Sequence, residues 1–116
     1  MNINNVVLAG RLTRDVDIHF SKSGTAIASI GLAISRRTKR GDEWVEEPIY
    51  VDVKMFGKRG EAFAKFHSKG SKACFPDCEL VYEAWEKDGV KRSKLVVYAQ
   101  SFEFVDDKKE TTNEAF

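Results

Sequence analysis

The sequence predicts an all-β domain carrying one short helix, a five-stranded Greek-key barrel. Three observations carry that prediction. Apolar residues recur mostly at a period of two, the spacing of a half-buried strand. Helical spacing is convincing in one segment only, Arg59 to His67. An Asp-Gly pair, Asp88-Gly89, stands between two alternating segments near the C-terminus, a strong signal for a tight hairpin.

Asn2 to Arg14 reads as the first strand, with Gly10 marking a bulge or sharp bend. Ser21 to Gly24 is a turn. Ala26, Ala28, Ile30, Leu32 and Ile34 then alternate with smaller or polar residues along a second strand. Residues 36–48 read as a charged loop or hairpin tip, with Gly41 at the turn and Pro48 as the break. In the third strand Ile49, Val51, Val53 and Met55 alternate with Tyr50, Asp52, Lys54 and Phe56. The helix places Ala62, Phe63 and Phe66 on one side, and Gly70 stops it. Leu80–Trp85 and Ser93–Val105 are the fourth and fifth strands, joined at Lys87–Val90. A helix between the third and fourth of five strands is the connectivity of the OB-fold, a small barrel that commonly binds oligonucleotides.

The chain's 116 residues and 13.1 kDa fit one domain, predicted over 1–105, with a short acidic flexible tail at 106–116. Apolar residues at 42% and charged residues at 32% exclude wholesale disorder. The longest apolar stretch, Ala26–Ile34, is far short of the ~20 residues a membrane helix needs, so no membrane partner is expected. The N-terminus lacks the basic lead and apolar run of a secretory signal, and two cysteines suit a reduced, cytoplasmic setting. The net charge of +1 hides an asymmetry. Asp106, Asp107, Glu110 and Glu114 against two lysines give the tail −2, and the 17 basic and 14 acidic residues before it give +3.

The third strand is the most informative. If Ile49, Val51, Val53 and Met55 point inward, then Tyr50, Asp52, Lys54 and Phe56 point out. Two outward rings and a lysine on one strand suit single-stranded nucleic acid, which offers flat bases to stack and phosphates to neutralise. The alternative is that Tyr50 and Phe56 cover a loop or a subunit interface. Trp85, beside the Asp-Gly turn, reads equally as a binding residue at the rim or as a cap on the core. Trp44 lies among charges, which favours a contact surface.

Val6-Val7-Leu8-Ala9-Gly10-Arg11-Leu12-Thr13, Ser23-Gly24, Phe56-Gly57-Lys58, Lys69-Gly70-Ser71 and Trp85, in this order, resemble the bacterial single-stranded DNA-binding protein (SSB) family over residues 2–105. The resemblance implies an OB-fold subunit, usually of a homotetramer, that binds single-stranded DNA without sequence preference in replication, recombination and repair, associated with the nucleoid. It maps base stacking to Tyr50, Phe56 and Trp85, and phosphate contact to Lys58 and Lys69. A further family aromatic falls near Thr38 and is absent, and Arg36, Arg37, Lys39 and Arg40 stand around it to neutralise phosphates or stack. With Lys54, these are the expected phosphate partners.

Two stretches depart from the family. Residues 72–79 replace an apolar strand and appear one residue longer, and Pro76, which cannot donate to a ladder, predicts a bulge or an edge. The tail is short but keeps Glu114 and the terminal Phe116. These are either a chance ending or a tip that docks replication and repair proteins. No catalytic motif appears, Cys74 and Cys78 lack partners for a zinc site, and no cofactor is expected. His67 is expected to cap the helix locally. The competing functional class is an OB-fold replisome or primosome accessory subunit acting through protein contacts; an RNA-binding OB domain is a third.

Overall fold

The computed structural model describes residues 1–105. Six strands and one helix follow in the order β1 (Val6–Leu12), β2 (Asp17–Phe20), β3 (Ala26–Arg40), β4 (Glu43–Phe56), α1 (Lys58–Phe66), β5 (Lys72–Lys87) and β6 (Val90–Ala99). Neighbours run β1-β5-β6-β4-β3, and pairing of Arg11 and Leu12 with Ala33 and Leu32 closes this circuit into a five-stranded barrel. β2 continues along β3 beyond the point where β1 leaves it, so β1 and β2 act as one strand broken at residues 13–16. The predicted barrel and the place of its helix are those observed.

The inward alternation builds the core. Ala28, Ile30 and Leu32 of β3 meet Val53 and Met55 of β4, Phe75 of β5 and Val97 of β6, and Phe63 of α1 plugs the barrel. Gly60 lets the helix approach, because a β carbon there would stand 2.4 Å from the Met55 carbonyl oxygen. His67 closes the helix, its Nδ1–H donating to the Phe63 carbonyl at 2.9 Å while its ring stacks on Phe63. That is the local capping its position suggests.

Several boundaries differ from the sequence reading. Residues 36–48 are not a loop: β3 and β4 stay paired from Ile27↔Phe56 to Arg40↔Glu43 around a two-residue turn, and Pro48 lies within the ladder opposite Ser35. This arm lacks an apolar face, so its alternation does not register as a strand. β5 starts at Lys72, well before Leu80, and β6 ends at Ala99, with residues 100–105 crossing back over the helix. Two expected core residues are exposed. Ile49 lies where β4 has already left the barrel, and Phe66 turns off the helix's buried side to meet Phe104 edge-on at 5.5 Å. Pro76 falls as expected at an irregularity: Val6 pairs with Cys78 but Leu8 with Phe75, one extra residue on β5. The tail call, with Glu114 and Phe116, lies outside the described residues.

Candidate nucleic-acid interface

The core alternation on β4 dictates its outer face. With Val53 and Met55 each 1% exposed, Tyr50, Asp52, Lys54 and Phe56 occupy the opposite side, Tyr50 being 71% exposed and Phe56 39%. Beside β4 runs β6 in parallel, with Tyr98 next to Lys54. β5 completes the sheet, bringing Glu83 opposite Lys94 and Trp85 opposite Arg92. Lys54, Val81, Glu83, Trp85, Lys94 and Tyr98 line one open groove. The structure therefore places Tyr50, Phe56 and Trp85 on one side of one sheet.

A hydrogen-bonded network occupies the middle of that face. The Lys54 ammonium donates to both Glu83 carboxylate oxygens, at 2.9 and 3.1 Å, and the Tyr98 hydroxyl donates to Glu83 Oε2 at 2.6 Å. Partial burial pushes the Glu83 carboxyl up, but the Tyr98 hydroxyl and the Lys54 ammonium outweigh it and hold it below the usual carboxylate range. The same hydrogen bond, with burial, pushes the Tyr98 phenol up to about 12. Tyr98 in turn meets the Phe56 ring edge-on, centroids 4.9 Å apart, which fixes the plane Phe56 offers. The sequence reading missed Glu83, Tyr98 and Lys94. Tyr98 and Lys94 were legible as outward positions of an alternating strand, but Glu83 as partner of Lys54, 29 residues away, was not.

The other predicted phosphate partners divide into two groups. Arg36 and Arg40 lie opposite the acidic run of β4 and both pair with Glu47. Arg37 lies over the Trp44 ring, 5.1 Å from its centroid, so Trp44 belongs to the paired arm and not to a loop. Lys39 lies opposite Trp44 in the ladder. Lys58 opens α1 immediately after Phe56-Gly57, and Lys69 occupies the turn before β5, its backbone N–H held by Asp15 Oδ1 at 2.8 Å. Both lysines are exposed.

No group of three or more potential metal ligands occurs among the described residues. Cys78 is buried, and burial followed by Asp77 and Cys74 raises its thiol to about 11, which suits an inert core position. No helix among the described residues is long and apolar enough to cross a membrane.

Residues 3–105 match the sequence profile described as the single-strand binding protein family. The single-stranded DNA-binding protein of Treponema pallidum is 36% identical over 104 residues, covering 90% of this chain and 58% of that protein. That of Wolinella succinogenes is 42% identical over 107 residues, covering 90% and 65%. The crystal structure of the wild-type single-stranded DNA-binding protein from Thermus aquaticus superposes with a TM-score of 0.78 at 30% identity, over 92% of this chain and 52% of that one. This chain thus spans less than two thirds of the length of each.

Proposed function

The chain belongs to the single-strand binding protein family, and we propose that it binds and protects single-stranded DNA without sequence preference. One observation carries this reading: three exposed rings, Tyr50, Phe56 and Trp85, share the outer side of one sheet with cationic neighbours. Every base has a π-face, so stacking at about 1–3 kcal/mol per base holds a strand without reading it. Lys58, Lys69, Lys39 and the guanidiniums of the arm supply the backbone term. The subunit serves replication, recombination and repair as a homo-oligomer, a tetramer on the family pattern, in a cytoplasmic, nucleoid-associated setting. Glu114 and Phe116 form a tip for replication or repair proteins.

Tryptophan fluorescence during titration with a thymidine oligomer tests the reading, because Trp44 and Trp85 are the two tryptophans and both are exposed. Strong quenching at low protein concentration is expected. An unchanged signal, with no binding by a second method, leaves the accessory-subunit reading. Tighter binding to a uridine oligomer selects RNA.

A further inference from the structure

Gly31 presents a discrepancy. Its neighbours Ile30 and Leu32 point into the core, so position 31 faces outward, yet it is buried. Its cover is the break between β1 and β2. Thr13 donates its backbone N–H to the Gly31 carbonyl at 2.9 Å, and the chain then leaves the ladder until Asp17. A β carbon built on Gly31 would lie 2.2 Å from Arg14 Nη1 and 2.4 Å from Thr13 Oγ1. The guanidinium and the hydroxyl fill the space a side chain would take.

This seat adjoins the proposed stacking surface. Gly31 faces Asp52 across the ladder, and Tyr50 is the next outward residue of β4, opposite Ala33. Thr13, Arg14, Gly31, Tyr50 and Asp52 line one shallow pocket. Arg14 also differs from the cations around it. Lys54 is neutralised by Glu83, Arg36 and Arg40 by Glu47, and Lys94 is paired to Asp52 at 3.2 Å. Arg14 is exposed and makes no ion pair or hydrogen bond through its side chain among the described residues. A guanidinium presents a planar fork that matches phosphate, and resting on a bare glycine lowers the ordering cost of using it.

Resting on the reading that this face takes single-stranded DNA, we propose that Thr13 and Arg14 form a phosphate subsite seated on Gly31. The Arg14 fork grips the phosphodiester of the nucleotide whose base stacks on Tyr50, and the Thr13 hydroxyl donates to the same group. Asp52, committed to Lys94, leaves the guanidinium to the ligand. Gly31 makes the subsite possible, since any side chain there would displace both donors.

The test compares the full chain with Arg14→Gln, Arg14→Lys and Gly31→Ala in thymidine-oligomer titrations across a salt series. Wild-type quenching comes first: without it, the DNA-binding reading itself fails. Given wild-type binding, Arg14→Gln is expected to weaken affinity about three- to tenfold and to flatten the log–log salt slope by about 0.7, one phosphate's share on a single strand. Arg14→Lys keeps the slope while losing part of the affinity, because the charge stays and the fork goes. Gly31→Ala, displacing only the ends of two side chains, follows Arg14→Gln. If Arg14→Gln and Gly31→Ala both bind as wild type with an unchanged slope, the subsite is refuted while the stacking surface stands.

Discussion

β3 and β4 form one uninterrupted ladder whose two halves are held by different forces. In the barrel half, Ala28, Ile30, Leu32, Val53 and Met55 are at most 1% exposed, and burial at about 25 cal/mol per Å² does the holding. From Ser35 to the turn no residue of either strand is buried. There the Ser35 hydroxyl donates to Glu46 at 3.1 Å, Arg36 and Arg40 pair with Glu47, and Arg37 covers Trp44. Exposed cross-strand pairs of this kind contribute about 0.2–1 kcal/mol each. Backbone pairing is the same in both halves, but the barrel half is a fixed platform and the arm opens at small cost. Tyr50 and Phe56 stand on the platform. Trp44 and the basic run stand on the arm, where they are free to follow a flexible strand.

The largest effects separate the halves by stability. Phe63→Ala removes the ring that plugs the barrel and is expected to cost about 3–5 kcal/mol in denaturant unfolding. Trp44→Ala, with its ring 60% exposed, is expected to cost under about 1 kcal/mol. Similar losses at both positions would show that the arm is part of the cooperative core. Next come the two rings of the platform. Tyr50→Ala is expected to weaken oligomer binding by about 1–3 kcal/mol with no change in unfolding. Phe56→Ala is expected to weaken binding similarly and to cost some stability as well, because its edge contact with Tyr98 goes too. Undiminished affinity in both would make these rings a protein contact surface.

The barrel was legible because core strands announce themselves: Ala26 to Leu32 and Val51 to Met55 alternate, and Asp88-Gly89 forms its turn with both residues at positive φ. Pro76 was legible for a similar reason, since its missing donor has a local consequence. The arm was not, because it is a strand pair without a buried face and its pattern is charge against charge across the ladder. β2 escaped for the same cause, with only Ile18 half-buried. The outward rings of the site were readable from β4 alone. The neutralisation of Lys54 by Glu83 and the seating of Arg14 on Gly31 depend on which distant residues the fold brings together, and no local pattern encodes that.

The arm's charges give a smaller effect. Arg36→Glu with Arg37→Glu sets acids opposite Glu47 and Glu46 and strips the arm of its pairs. Affinity is expected to fall about equally for all sequences, with a flatter salt slope of about −0.7 fewer per phosphate lost. A salt-indifferent wild type would remove the electrostatic half of the proposed mechanism.

The smallest expected effect bears on the centre of the platform. Glu83 restrains Lys54 and holds the Tyr98 hydroxyl, so it limits the charge this face can offer DNA while fixing the plane of Phe56. Glu83→Gln releases the ammonium, and affinity for a thymidine oligomer is expected to rise about two- to fivefold at low salt, with a steeper salt dependence. The Tyr98 phenol reports the same change from the other side. Its folded pKa of about 12 lies above its unfolded value, so the network's contribution to stability is complete below about pH 10 and is lost as pH rises through the folded value. In a tyrosinate absorbance titration of the folded protein, one of the three tyrosines should therefore ionise late, and in Glu83→Gln that lag should shrink. A higher affinity without an earlier Tyr98 titration would separate the charge of Glu83 from its role in orienting the ring. A lower affinity would mean that Phe56, positioned through Tyr98, matters more to the strand than the cation Glu83 restrains.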